Sequence, residues 1–180
     1  MAGRESQPVP ATSFPLADTD ARLAHARSVA ATVTDPEIPV LSIDDLGVLR
    51  ELKLALDGTL EVFITPTYSG CPAMNMIALE LELALEKAGF DRVKVTTVLS
   101  PAWTTDWMTE AGRRKLKEYG IAPPSEKRAG RGALFGADEV ECPRCGSVRT
   151  NRLAEFGSTS CKALWQCQDC REPFDYFKCH

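Results

Sequence analysis

The segments CPRCG (residues 142–146) and CQDC (residues 167–170) are two C-x-x-C pairs with 21 residues between them. Two thiolates three positions apart on a tight turn can bind one metal ion, and a second such turn completes a tetrahedral four-sulfur site. This spacing is typical of zinc ribbons. The sequence therefore predicts a metal site whose ligands are Cys142, Cys145, Cys167 and Cys170.

The same region holds more sulfur than one metal site needs. Six of the seven cysteines lie in the last 39 residues, so Cys161 and Cys179 are possible additional ligands. With Zn²⁺ on the two pairs, these spare thiols would be structural. The alternative is an iron–sulfur cluster on some of Cys161, Cys167, Cys170 and Cys179, since both metals accept four thiolates. The symmetric spacing of the two pairs favours zinc.

Length and charge limit the classes of protein that this chain can belong to. A chain of 180 residues has room for one domain of ordinary size and a small module that needs a metal to fold. It contains no 18-residue apolar run and no apolar signal-peptide core, so we expect a cytoplasmic protein with no membrane partner. The net charge of −4 disfavours nucleic acid as a partner, although residues 113–152 carry a charge of +5.

The apolar pattern predicts an α+β fold. The expected order is α-β-β-α-β-α with a three-stranded sheet, followed by a β-rich, zinc-ribbon-like module. Residues 1–17 are rich in proline and small polar residues and are predicted to be disordered. The first domain is expected to cover residues 18–120, a linker residues 121–138, and the Cys-rich module residues 139–180.

Capping and turn signals place the boundaries of individual elements. The first helix is expected to begin at Asp18 and to end before Pro36, because the residue that precedes a proline avoids the helical conformation. Two apolar segments flank Asp57 and Gly58, which predicts an antiparallel hairpin. The last helix of the first domain is expected to begin near Thr105.

Cys71 stands alone in the first 141 residues, in the loop TYSGCP (67–72) between a predicted strand and a predicted helix. The free N–H groups and the dipole of that helix should lower the pKa of its thiol below the usual value of about 8.5. The chain contains two histidines, His25 and His180, so a Cys/His catalytic pair is poorly supplied. We therefore predict that Cys71 binds a metal or a cluster rather than acting as a nucleophile.

The loop DPEIPVLSIDDLG (35–47) supplies carboxylates that could act together with Cys71. One interpretation is structural, in which Asp35 caps a helix end and Asp44 and Asp45 make hydrogen bonds within turns. The other interpretation is functional, because carboxylates beside a thiolate would suit a transient iron site.

Three separated segments resemble those of one known family. DPEIPVLSIDDLGVL, TYSGCP and SPAWTTDWM occur in the order found in the metal–sulfur cluster assembly domain family, which contains SufT-like proteins and the eukaryotic cytosolic iron–sulfur targeting factors. The Cys-rich end, STSCKALWQCQDCREPFDYFKCH, narrows the resemblance to the PaaD family of the bacterial ring-1,2-phenylacetyl-CoA epoxidase system. The resemblance implies that Cys71 is the reactive cysteine and that Asp35 and Glu37 belong to the acidic motif.

The resemblance also implies a function. It indicates a non-catalytic factor that helps to insert iron or an iron–sulfur centre into the epoxidase of aerobic phenylacetate degradation, with iron or a cluster held transiently at Cys71. The client would be the oxygenase subunit, the reductase subunit or both. A homodimer could provide a second ligand, because one cysteine rarely holds iron unaided. Two other functions stay open: an iron–sulfur electron-transfer component of a multicomponent oxygenase, and a nucleic-acid-binding zinc-ribbon protein.

Overall fold

The computed structural model describes residues 16–124 and 139–178. Within these ranges the chain forms three α-helices, one short 3₁₀ helix and seven strands in two sheets. The order of elements is α-β-β-α-β-α followed by a β-rich module, so the predicted α+β class is confirmed. None of the helices in these ranges has the length and apolar character needed to cross a membrane.

The first sheet has three strands in the order β1-β2-β3, namely β1 (Leu49–Leu54), β2 (Leu60–Ile64) and β3 (Val93–Thr97). Strands β1 and β2 pair antiparallel around Gly58, as the turn signal predicts. Strand β3 lies parallel to β2, because helix α2 (Met74–Lys87) makes the crossover between them.

Helix α2 packs one apolar stripe onto this sheet. Its buried residues Ile77, Leu81 and Leu85 recur every fourth position, which keeps them on one face of the helix. They join Leu60 and Val62 of strand β2 in the main hydrophobic core. This core fixes the start of α2, and with it the loop that carries Cys71.

Helix α1 (Leu16–Ala30) differs from its prediction at both ends. It begins two residues before Asp18, so residues 16 and 17 are helical where disorder was expected, while residues 1–15 lie outside the described ranges. It also ends well before Pro36. Thr34 forms an isolated β-bridge with Ser42, and this backbone pairing folds the acidic loop back on itself. Pairing by the loop therefore ends the helix earlier than the proline does.

The last helix of the first domain is also shorter than predicted. Thr105–Trp107 forms a 3₁₀ turn, and helix α3 (Glu110–Tyr119) begins after it. The Thr109 hydroxyl accepts a hydrogen bond from the N–H of Gly112 at 2.9 Å and caps the new helix. This cap separates the two segments, which the sequence pattern presents as one helix.

The second sheet joins the two parts of the chain. Strands β4 (Ile121–Ala122), β5 (Thr150–Ala154), β6 (Lys162–Cys167) and β7 (Pro173–Phe177) lie in the order β4-β7-β6-β5. Strand β4 follows α3 directly and pairs parallel with β7. The predicted linker over residues 121–138 is therefore corrected at its start, because its first two residues form a strand of the C-terminal sheet.

Side chains bridge the two parts as well. The ring of Trp103 meets that of Phe177 edge-on, with centroids 6.1 Å apart, and its indole N–H donates to the carbonyl of Leu46 at 2.8 Å. Phe177 and Cys161 belong to the same hydrophobic core as the first sheet. The C-terminal module is therefore packed against the first domain.

The acidic loop is locked against the segment before α3 at Gly47. Its backbone is left-handed, with φ of +68°, and a Cβ there would lie 2.4 Å from the carbonyl oxygen of Trp107. Asp45 holds the same contact from the other side, because its carboxylate accepts from Lys115 Nζ at 2.6 Å. The loop can approach this closely because position 47 has no side chain.

We predict that Gly47→Ala destabilises the protein by about 2–5 kcal/mol, because it adds a steric collision to the strain of a left-handed backbone. Gly89→Ala is the matched control, since Gly89 has φ of +94° with no atom within 4 Å of the added Cβ. That change should cost only about 1–2 kcal/mol. Urea-unfolding midpoints measure both effects, and equal midpoints for the two variants would contradict the prediction.

Candidate functional site

The cysteines of the two C-x-x-C pairs come together at one end of the second sheet. Their four sulfur atoms all lie within 4.8 Å of one another. The Sγ atoms of Cys142 and Cys170 are 3.8 Å apart, and those of Cys145 and Cys167 are 3.5 Å apart. A tetrahedral ion with metal–sulfur bonds of about 2.3 Å separates its sulfurs by about 3.8 Å. The donor set and its spacing therefore fit a single tetrahedral metal ion.

Two backbone turns present these sulfurs. In the first turn, Gly146 donates its N–H to the carbonyl of Cys142 at 2.9 Å and adopts φ of +74°. In the second turn, the N–H of Cys167 donates to the carbonyl of Glu172 at 3.0 Å. Each turn buries its first cysteine and exposes its second, so the site lies at the surface but is anchored from inside.

The protonation of these thiols indicates that the cluster needs a cation. The N–H of Cys170 is the main cause that lowers the pKa of Cys167, to about 7. At Cys145 the N–H of Ser147 lowers the pKa, but hydrogen bonds with the neighbouring thiols outweigh it and raise the pKa to about 12. Thiols this close cannot all ionise without a positive charge between them.

Cys161 lies apart from this cluster. It is only 5% exposed, and its thiol donates to Glu37 Oε2 at 3.6 Å and contacts the Thr159 hydroxyl at 3.0 Å. Burial is the main cause that raises its pKa to about 11; the Thr159 contact opposes this rise, and the charge of Glu37 adds to it. The prediction that Cys161 is a further ligand in the ribbon is therefore corrected, and Cys179 lies outside the described residues.

Cys71 lies in the loop before α2 and is half-buried. Its pKa is raised rather than lowered, which contradicts the prediction. Burial is the largest cause of this rise. The N–H of Ala73 at the helix start opposes it, but the charges of Glu37 and Asp35 add to it. Burial and two carboxylates, all of them tertiary features, therefore outweigh the favourable helix end.

The structure brings Asp35 and Glu37 close to Cys71, as the functional interpretation of the acidic loop requires. Asp35 Oδ1 accepts from the backbone N–H groups of Glu37 and Ile38 at 2.8 and 2.9 Å, so it closes a turn and does not cap a helix end. Burial raises the pKa of Asp35 in spite of these two hydrogen bonds. A buried carboxyl of this kind favours a nearby positive charge.

The other two carboxylates of the loop have structural partners. Asp44 pairs with Arg27 at 2.7 Å and so ties the loop to α1. Burial alone would raise the pKa of Asp45, but hydrogen bonds from Lys115 and Ser42 outweigh it and hold that pKa below its usual value. The structural interpretation of the acidic loop therefore applies to these two aspartates.

Sequence reasoning missed Tyr68 and Ser160. Tyr68 hydrogen-bonds to Cys71 and to Ser160, and it interacts electrostatically with Glu37 and Cys161. The loop TYSGCP contains the tyrosine, but the serine is 92 positions further along the chain. No local pattern in the sequence could have joined them.

Both parts of the chain match known families. Residues 25–98 match the family described as iron-sulfur cluster assembly protein, and residues 126–178 match the one described as PaaD zinc beta ribbon domain. A protein of Escherichia coli (strain K12), named as the D subunit of 1,2-phenylacetyl-CoA epoxidase, is 49% identical over 152 residues, which are 84% of this chain and 90% of that protein. The chain belongs to this PaaD family. The resemblance inferred from the motifs is confirmed.

Further relatives match mainly the first domain. An Fe-S protein maturation auxiliary factor of Porphyromonas gingivalis (strain ATCC BAA-308 / W83) is 35% identical over 86 residues, which are 47% of this chain and 81% of that protein. The crystal structure of a DUF59 domain from Bacillus anthracis matches with a TM-score of 0.53 and 20% identity, over 57% of this chain and 97% of that one. This structural match supports the fold.

We predict that Cys142→Ser lowers the metal content of the purified protein from one ion per chain to near zero and unfolds strands β5 to β7. The reason is that so small a module cannot bury a sufficient core without its metal. Cys161→Ser is the matched control and should keep the ribbon metal, because Cys161 lies apart from the four sulfurs. Elemental analysis and amide hydrogen exchange report the two results, and full metal content in Cys142→Ser would refute the assignment.

We predict that Asp35→Asn is at least as stable as the wild type at pH 7, because it removes a buried charge while its amide oxygen still accepts both backbone N–H groups. The raised pKa of Asp35 means that its ionisation costs stability above that pKa. The gain should therefore vanish below about pH 3.8, where the carboxyl is protonated in both the folded and the unfolded state.

Asp45→Asn is the control with the opposite sign. The pKa of Asp45 is lowered, so its stabilising effect is present above 3.8 and is lost as the pH falls through the folded-state value. This variant should be less stable than the wild type at pH 7 and equal to it in acid. Urea-unfolding midpoints across the pH range test both variants, and a destabilised Asp35→Asn at pH 7 would count against a buried charge at that position.

Proposed function

We propose that this protein is a maturation factor that helps to insert iron or an iron–sulfur centre into a subunit of the 1,2-phenylacetyl-CoA epoxidase. The names of its relatives support both parts of this proposal, since one is the D subunit of that epoxidase and another is an Fe-S maturation auxiliary factor. One observation carries it: the thiol of Cys71 is grouped with two carboxylates, away from the four-thiol centre.

The two thiol sites suit different tasks. Four thiolates around one ion make a closed site that holds its metal permanently, which is the property of structural zinc. Cys71 with Asp35 and Glu37 offers fewer and weaker donors, and such a site can bind iron and release it again. The iron is therefore the cargo of the protein, whereas the zinc is a resident part of the ribbon, which docks the client.

The role that we propose is non-catalytic. A cysteine nucleophile needs a thiolate, and the raised pKa of Cys71 keeps its sulfur protonated at neutral pH. His25 stacks on the ring of Phe90, with centroids 6.1 Å apart, at the α1 side of the domain. A general base beside Cys71 would therefore have to be a carboxylate, which is weak for that task. Binding of a thiophilic metal needs no such activation.

The two alternative functions are less well supported. An electron-transfer role requires a multi-iron cluster in the ribbon, but such a cluster places its cysteine sulfurs on different iron atoms, further apart than the 3.5 and 3.8 Å seen here. Nucleic-acid binding requires free cations in the basic stretch. There Arg113 donates to two backbone carbonyls, Lys115 pairs with Asp45, and Lys117 pairs with Glu141.

The chemistry of the cysteines supports a reducing compartment. The six cysteines in residues 16–124 and 139–178 are free thiols, and the ribbon needs four of them reduced to bind its metal. The proposed location is therefore the cytoplasm, with the oxygenase or the reductase subunit of the epoxidase as the client.

We predict that Cys71→Ser lowers the iron content of the co-expressed epoxidase about tenfold or more, because the serine hydroxyl is a poor ligand for iron. The variant should keep its ribbon metal and its unfolding midpoint. Ser69→Ala, in the exposed part of the same loop, is the matched control and should load the client normally.

Elemental analysis of the separated oxygenase and reductase subunits shows which of the two is the client. Normal iron in both subunits after Cys71→Ser would exclude the proposed function.

A further inference from the structure

We propose that Cys161 of the ribbon completes the iron-binding site at Cys71, so that the cargo is held between two thiols from different modules with Glu37 as an oxygen ligand. The proposal rests on the proposed function and specifies its site. It assigns Cys161 a role separate from that of the four ribbon cysteines.

The first observation is a direct contact between the modules. The thiol of Cys161 points at Glu37 Oε2 at 3.6 Å, and these two residues are 124 positions apart in the sequence. Cys161 is only 5% exposed, so the ribbon buries this sulfur against the acidic loop rather than against its own cysteines. A thiol and a carboxylate in contact are two ligands for one ion.

The second observation is that the same groups surround both thiols. Glu37 and Asp35 act electrostatically on Cys71 and on Cys161. Tyr68 also interacts with both thiols, and it hydrogen-bonds to Ser160, the neighbour of Cys161. One acidic pocket therefore contains both sulfurs.

The third observation is that the sheet fixes the position of Cys161. Its carbonyl accepts from the N–H of Lys178 at 3.0 Å, at the point where strands β6 and β7 begin to pair. The adjacent Phe177 is buried against Trp103 of the first domain. Backbone pairing and aromatic packing therefore hold Cys161 over the acidic loop.

The ligand class follows from the donors. Two thiols and a carboxylate combine soft and hard ligands, which suits Fe²⁺, and binding replaces the two S–H bonds by S–Fe bonds while two protons leave to solvent. Among the residues in the described ranges, only the four ribbon sulfurs form a set of three or more such ligand atoms within 4.8 Å. The site at Cys71 is thus open, and its side chains must rotate inward to close around the ion.

The test uses Co²⁺ as the probe, added anaerobically to the zinc-loaded full-length protein. The wild type should bind one Co²⁺ with a sulfur-to-cobalt charge-transfer band. Cys71→Ser and Cys161→Ser should each lose about half of that band and bind about tenfold more weakly or worse. Glu37→Gln should keep the band but bind more weakly. Ala163→Ser, which places a hydroxyl at a buried position of the same strand, should behave as the wild type.

A measurement on the wild type guards against a variant that fails to fold. Cobalt-edge X-ray absorption counts the sulfur ligands, and two sulfurs support the proposal while one or none overturns it. Wild-type binding by Cys161→Ser would also overturn it.

The epoxidase iron assay separates this proposal from the proposed function. If Cys71→Ser starves the client of iron while Cys161→Ser loads it normally, the maturation role stands and the shared site falls. If neither variant changes the iron in the client, the proposed function fails as well.

Discussion

The arrangement of the whole molecule depends on the parallel pairing of β4 with β7. Strand β4 is two residues long and follows α3 without a break, so the last helix of the first domain leads straight into the C-terminal sheet. Backbone hydrogen bonds at this point hold the ribbon in one orientation. The contact of Phe177 with Trp103 seals the same junction with apolar surface. The position of Cys161 over the acidic loop is a result of this junction.

The two groups of sulfur illustrate how surroundings decide what a thiol does. In the ribbon, tight turns bring four sulfurs to the separation that one ion imposes, and the ion would hold the module together. At Cys71 the neighbours are a second buried thiol and two carboxylates, which accumulate negative potential in a partly dry pocket. The first group is built to retain a metal, and the second gains from a positive charge that it can later give up.

Local features of the sequence predicted most of the fold. The C-x-x-C spacing, the turn at Gly58 and the apolar stripe of α2 each depend on residues a few positions apart, and they appear as expected. The resemblance of the motifs pointed to Cys71, Asp35 and Glu37. The contact of Cys161 with Glu37 could not be foreseen, because it depends on a strand pairing between distant segments. The predicted pKa of Cys71 was wrong because burial, a tertiary property, exceeds the effect of the helix end.

The four-sulfur turn pair also sets an order of events during biogenesis. Cys161 reaches Glu37 only when the ribbon is folded, and the ribbon folds around its own ion. A newly made chain must therefore acquire zinc before it can receive iron. In a cell starved of zinc, this dependence would stop the transfer of iron at its first step, even where iron itself is plentiful.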